Sequence, residues 1–498
     1  MAQSFDWKLV IMYLLLVLIG WVNIYASIHS SGPSSIFDWE FRCGKQFVWI
    51  LTAFGLAGLI LFILPARLWE TGAIIMYLGV LVLLVAVIFL GIEVKGSRSW
   101  FEFGPVRFQP AEVSKISTSL MLAFVMSRSN YKISEMKDFL ITAAVIALPM
   151  LVILGESETG SALVYVGFVF MLYREGLSGW FIVLIGMAIL LFVMTLTTSS
   201  YAAITALTAL LLLCNAANAR RSTHWLMVFS AIVLVLALLP GMWNWLLETM
   251  VPGAGILPES DSFVQESIRD SSGMSWMLKI KPLYILLAAA AGCIPYFLYK
   301  SYIEKNGFIG LSVLAFICGT LLSFSTEFIF NNVLQDHQRS RIEVLLGIRE
   351  DLAGVGYNVH QSMIAIGSGG LLGKGFLRGT QTTYGFVPEQ STDFIFCTVG
   401  EEWGFVGCLT VILLYTLIIW RLISDAEGCR ERFTRIYGYC VAGCFFMHLF
   451  INIGMTIGLM PVIGIPLPLM SYGGSSLWTF TVLLFIFIAL HHQEKKYF

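Results

Sequence analysis

The chain has 498 residues, 58% of them hydrophobic and 12% charged, against about 45–50% and about 25% in ordinary globular domains. Its formal net charge is −1, and no run of Lys or Arg marks a nucleic-acid face. That composition excludes a soluble enzyme and a nucleic-acid binder, and it points to a polytopic membrane protein.

Apolar length predicts about fourteen spans, near 9–28, 46–65, 72–92, 112–127, 138–155, 160–173, 179–198, 201–217, 225–241, 282–299, 307–330, 393–420, 436–460 and 472–490. The first run has only Lys8 at its flank and reads as a retained helix rather than a signal peptide. An even count puts both termini on one side. With that side cytoplasmic, the short inner loops hold Arg220-Arg221, Lys300 and Lys305, Arg421, Arg430, Arg432, Arg435 and Lys495-Lys496, as the positive-inside rule expects. The polar stretches 29–45, 93–111, 242–281 and 331–392 then fall outside. The chain divides into N-terminal membrane helices (1–200), inserted helices with an outer loop (201–330), a large extracytoplasmic loop (331–392) and C-terminal membrane helices (393–498). The nine cysteines form no C-x-x-C pair, so neither a disulfide framework nor a thiolate metal site is expected. Gly373-Lys374 is followed by Gly375 rather than Ser or Thr, which excludes a Walker loop.

Chemistry-bearing residues recur along the outer stretches. Arg98 and Arg107, with Trp100 between them, fit an anionic headgroup, although Trp100 alone would be an interfacial anchor. In Gln109-Pro110-Ala111-Glu112-Val113-Ser114-Lys115 a proline opens a helix, and Glu112 and Lys115 share a face. Ionisable residues inside a span mark a site or pathway, unless the pair is a structural clamp. Glu156 and Glu158 read as solvated turn residues. Arg339 and Arg341 stand where lipid phosphates lie and suit their oxygens, or snorkel. Residues 358–366 have the spacing of an amphipathic helix on the membrane face, and the glycines after them free backbone N–H groups for an anion. Asp393 precedes Phe394-Ile395-Phe396, so it is either the cap of a helix or part of a polar site, which Glu401 and Glu402 two turns deeper favour. Residues 466–476 hold two prolines and two glycines at membrane depth, where broken backbone lines a cavity or is buried in protein.

Together, residues 109–115, 338–342, 354–385, 388–407 and 461–476 resemble the SEDS family of cell-wall glycosyltransferases. Ile366-Gly367-Ser368-Gly369-Gly370, Gly373-Lys374-Gly375 and Gly379-Thr380-Gln381 are similar to its elongation, rod-shape branch more than to its division branch. The resemblance implies an all-α polytopic bundle, with a ten-helix core plus about four extra helices. It implies an extracytoplasmic polymerase in the cytoplasmic membrane that joins lipid II into glycan strands, working with a class B penicillin-binding protein and the elongation machinery. The family's T-D-F-I-F aspartate falls on Asp393, and the glutamate and lysine of its Q-P-S-E-x-x-K motif fall on Glu112 and Lys115. Substrate contacts are implied at Arg98, Trp100, Gln109, Arg339, Arg341, Lys374, Gln381, Glu389, Ser471 and Gly473. The leaving diphosphate needs positive charge from Lys115, Arg98, Arg339 or Arg341, or from a divalent ion (Mg2+ or Mn2+) with Asp351 and Glu401 as candidate ligands. The family's Q-P-D-L-G-T reads Glu156-Ser157-Glu158-Thr159-Gly160-Ser161 here. A lipid II flippase is the rival reading, since Glu112–Lys115 and the broken segment would suit alternating access. Polar residues concentrated at the outer face weigh against it.

Overall fold

Long apolar runs become helices because hydrocarbon leaves each backbone N–H and C=O to be satisfied within its own segment. The computed structural model describes residues 6–29, 32, 35–94, 97–104, 106–218, 232, 235, 282–304, 307–334, 336–348 and 356–497. They fall into two units, Met1–Gly179 with Glu350–Phe498, and Trp180–Arg349.

The first unit begins with α1 (Trp7–Ile28), α2 (Arg42–Gly58, continued by a π-helical turn), α3 (Arg67–Leu90), α4 (Pro110–Met126) and α5 (Met136–Gly155). A 3-10 turn then joins α6 (Thr159–Val164) to α7 (Phe168–Arg174). The second unit holds α8 (Trp180–Thr197), α9 (Ser200–Asn218), α10 (Pro282–Glu304), α11 (Gly307–Asn332) and α12 (Asp336–Leu345). The first unit resumes with α13 (Tyr357–Ser368), α14 (Thr380–Thr383), α15 (Ile395–Gly428), α16 (Arg432–Thr456) and α17 (Gly474–Tyr497). Among the described residues, 10 helices are long and apolar enough to cross a membrane; the α6–α7 stretch and α9 are apolar but shorter. The protein is a multi-pass, all-α membrane bundle. Every predicted span coincides with a helix or helix pair except 225–241, which lies almost wholly outside the described residues.

α16 and α17 are buried along most of their length, whereas α3 leaves much of its surface to lipid. In the second unit, small polar side chains tie helices together: Asn215 to Ser312 (2.9 Å) and Ser200 to Glu327 (2.9 Å). Such hydrogen bonds do in lipid part of what hydrophobic burial does in water. Both ends of the first unit's chain meet the end of α15 and the turn that follows it. Arg421 donates to Asp6 (2.9 Å), and the Arg430 and Glu431 N–H groups donate to Glu494. Residues 6 and 494 therefore share one end of this unit, as an even number of crossings requires.

One expectation is corrected. The 93–111 stretch is not only loop: β1 (Ile92–Val94), β2 (Ser97–Phe103) and β3 (Val106–Phe108) form an antiparallel sheet in the order β1-β2-β3. Its strands are too short for their alternation to stand out. α13 forms where the spacing predicts an amphipathic helix, with Met363 and Ile364 exposed on one side. Its Ser362 donates to the Thr456 carbonyl (3.0 Å), Ala365 is buried, and Ile366 lies against Gly400 of α15.

Candidate active site

Residues 461–473 have no regular secondary structure, yet Ile465, Leu467, Leu469, Met470 and Ser471 are buried. Backbone in that setting needs partners from elsewhere in the protein. Asn452 donates to the Ile465 carbonyl (2.7 Å), Tyr415 to that of Pro468, and the His448 Nδ1 faces that of Pro466 (3.1 Å). The Leu467 N–H donates to Ser471 Oγ (2.8 Å) and the Gly473 N–H to Gln46 Oε1 (3.2 Å). At Gly20 of α1 a side chain would run into the Met470 backbone, so the glycine admits the segment.

Asp393 sits beside this segment. α15 begins at Ile395 with Phe394 as its N-cap residue, so Asp393 lies one residue before the cap position. Its peptide is held from both sides. Asn452 donates to its carbonyl (2.8 Å), and Ser471 donates to that of Thr392 (2.6 Å). A side chain at Gly464, where φ is +75°, would come to 3.6 Å from Asp393 Oδ2. Nearby, Arg42 Nη1 donates to Ser391 Oγ (2.5 Å), lies 3.9 Å from Glu389 and stacks over Tyr472. The sequence reading passed over Arg42, which opens α2 within the polar stretch 29–45 with no motif around it.

Glu112 and Lys115 meet as their spacing predicts, at 2.7 Å, with Lys115 wholly buried. The Lys115 Nζ also lies 2.9 Å from His448 Nε2 and over the Phe480 ring. Gln109 donates to Glu158 Oε2 (2.6 Å), joined there by Ser161 (3.0 Å), while Ser99 donates to Oε1 (2.9 Å). Burial raises the Glu158 carboxyl above its ordinary range, against the pull of those serine hydrogen bonds. Glu156 and Glu158 are thus no solvated turn, because Ile463 and Ile465 close over the start of α6 at Gly160.

The glycine-rich loop does something other than cradle an anion. α15 is broken at Gly404 (φ 64°, ψ −158°), and the loop fills the gap. The Lys374 and Gly375 N–H groups donate to the Glu401 and Glu402 carbonyls (3.0 Å each), and the Phe405 and Val406 N–H groups donate to Gly370 and Leu371 (2.9 and 3.1 Å). The Glu401 carboxylate accepts five hydrogen bonds, from Lys374 Nζ, Thr380, the Gln381 N–H and both donors of Thr382. Such an occupied carboxylate does not suit a metal ligand. Asp351 lies outside the described residues. Among the described residues, no group of three or more His, Cys, Asp or Glu is gathered for a metal.

The remaining predicted residues lie on the sheet and on α12. Arg98 and Arg107 face Glu93 and Glu102 across the exposed sheet (3.5 and 3.2 Å), and Trp100 pairs with Ile92. Arg339 belongs to α12 of the second unit, where it pairs with Glu343 (2.8 Å), and the partly buried Arg341 follows on the same helix. Besides Arg42, sequence reasoning missed His448 and Asn452. Their spacing of four residues inside an apolar run was the available signal, since it puts two polar groups on one buried face.

A family model for FtsW, RodA and SpoVE, described as cell cycle protein, matches residues 6–235 and 273–496. The chain belongs to this family. It is 29% identical over 497 residues to the peptidoglycan glycosyltransferase RodA of Treponema pallidum, covering 99% of each chain. To the peptidoglycan glycosyltransferase MrdB of Escherichia coli K12 it is 28% identical over 433 residues, covering 87% of this chain and 81% of that one. The Treponema relative is of nearly equal length. Two solved folds are similar. The rod shape determining protein RodA of Thermus thermophilus gives a TM-score of 0.52 at 22% identity, and a chain of a peptidoglycan synthase complex coordinating polymerization and crosslinking gives 0.58 at 23%. Each comparison covers 99% of this chain and 98% of the other. The SEDS resemblance read from the motifs is membership of this same family.

Proposed function

We propose that the chain is a peptidoglycan glycosyltransferase that polymerises lipid II into glycan strands at the outer face of the cytoplasmic membrane during elongation, with Asp393 as its general base. The observation that carries this reading is the setting of Asp393, which lies one residue before the N-cap of α15 and whose peptide is fixed on both sides by Ser471 and Asn452.

The 4-hydroxyl of one lipid-linked sugar attacks the anomeric carbon of the other. A carbon–oxygen bond forms there with inversion as the bond to the diphosphate breaks. The lipid diphosphate leaves with the bonding electrons, and the hydroxyl proton passes to Asp393. A sugar hydroxyl is a weak nucleophile, and a positioned base is worth about 10²–10⁴ in rate. Arg42, nearly half exposed beside Ser391 and Tyr472, adds a cation for the diphosphate to those the sequence offered. Glu112 holds Lys115, whose charge is fixed below the broken segment. A divalent cation would add charge at the diphosphate, but Glu401 does not fit as its ligand, and no step here is routed through one. The breaking donor bond supplies the driving force. A crosslinking partner of the class B penicillin-binding type, cytoplasmic termini and contact with the elongation machinery belong to the same proposal.

The test is strand synthesis from lipid II by the purified chain with its partner, wild type against Asp393→Asn. Asparagine keeps the size and removes the base, so polymer from wild type and at least about 10²-fold less from the folded variant is expected. Equal polymer from both would remove Asp393 from the chemistry.

A further inference from the structure

α16 carries His448, Asn452 and Thr456 at four-residue spacing, all buried and on one face of the helix. The transfer reading above uses Asn452 only to hold the Asp393 peptide and gives His448 and Thr456 no part. Asn452 and His448 hold consecutive carbonyls of the broken segment, those of Ile465 and Pro466. On its other ring nitrogen His448 meets Lys115 at 2.9 Å. A lysine ammonium can only donate, so Nε2 is the acceptor and Nδ1 carries the hydrogen, which it donates to Pro466. The imidazole is thereby fixed as one tautomer between a buried charge and a backbone carbonyl.

We propose that His448 is a positioning residue of the transfer reaction: it ties the Lys115 ammonium to the Pro466 carbonyl and so sets the Asp393 segment relative to the Glu112–Lys115 pair. The chain of contacts is continuous. From Pro466 it runs through Leu467, whose N–H donates to Ser471, and from Ser471 to the Thr392 carbonyl next to Asp393. Asn452 closes a second path from Ile465 to the Asp393 carbonyl. Loss of the histidine link frees Lys115 from the segment while leaving its Glu112 partner in place. The packing alternative is that His448 only fills space edge-on against Phe480, at 4.7 Å between ring centroids.

The inference rests on the transferase reading, and the experiment keeps the two apart. Full-length protein with its partner is assayed with lipid II as wild type, His448→Phe and His448→Gln, alongside thermal unfolding of each. Phenylalanine keeps the ring but can neither accept from Lys115 nor donate to Pro466. Glutamine carries both an acceptor and a donor. The expected result is a kcat about 10²-fold lower in His448→Phe, as for a displaced reacting group, with KM within about twofold. His448→Gln should recover at least about tenfold of that loss. Wild-type kcat in a folded His448→Phe overturns the proposal, and so do equal losses in both variants that track lowered melting temperatures. Should His448→Phe fail to fold, His448→Asn decides, because its short amide faces Pro466 without reaching Lys115. It should show the same kcat loss, and wild-type kcat there overturns the proposal. A wild-type protein that makes no polymer sinks the transferase reading itself, before any variant is compared.

Discussion

Glu156 ends α5 in the turn to α6, 3% exposed, with neither carboxyl oxygen in a hydrogen bond. Burial, with the Glu158 carboxylate beside it, pushes its pKa up to about 8 from an ordinary 4.5. A folded-state value above the unfolded one means that the native protein holds the proton more tightly. The stabilisation is complete below the ordinary value and is lost as pH rises towards 8. The detergent-solubilised protein should therefore lose thermal stability between about pH 5 and about pH 9. Glu156→Gln, neutral and of the same shape, should lose less over that range and melt higher than wild type at the alkaline end. Parallel curves for the two proteins would mean that Glu156 is ionised in the fold. From residue type alone this pair looked solvated. The start of α6 that follows it is covered at Gly160 by Ile463 and Ile465, three hundred residues away, and short-range pattern cannot see that.

At the scale of elements, the break in α15 and the loop that mends it are one feature. Helix N–H and C=O groups left open at Gly404 would be costly in the span, and the backbone of residues 370–375 supplies their partners. Gly404 lies at positive φ, and any side chain there meets the Gly373 backbone. Gly404→Ala should cost about 1–3 kcal/mol from backbone strain alone and should displace the loop. Faster tryptic cleavage after Lys374 and Arg378 would show this, while Gly79→Ala, which meets nothing, should cleave as wild type does. Equal cleavage in all three would show that the loop does not depend on the break. The sequence offered the glycines and both glutamates, and it placed α15 correctly. It could not offer the interlock, because a run of 34 residues with ordinary apolar content reads as one continuous helix. The anion-cradle reading of the same glycines failed for the same reason: their N–H groups were assigned no partner, and the partners lie across the fold.

For the whole molecule, apolar length alone carried most of the fold, since hydrocarbon permits few alternatives to helices. The site was legible only in part. Glu112 with Lys115 followed from helical spacing and Asp393 from the family motif, whereas His448 and Arg42 make contacts that span hundreds of residues and Asn452 one that spans 59. Which side each end faces follows from charge. Residues 6, 421, 430 and 494 gather at one end of the first unit through Asp6–Arg421 and Glu494. Arg42, Ser391 and Tyr472 gather beside Asp393. The proposed topology puts the first group in the cytoplasm, as the positive-inside rule expects from the lysines and arginines of the short loops, and the second outside. Single cysteines test this in whole cells with a membrane-impermeant maleimide, counted against wild-type background. Glu40→Cys, exposed in the loop before α2, should label from outside. Asn130→Cys, exposed in the loop between α4 and α5, should label only after permeabilisation. The reverse pattern would put Asp393 in the cytoplasm. An outer-face polymerase would then be impossible whatever the activity of the purified protein, because polymer made there would be on the wrong side of the membrane.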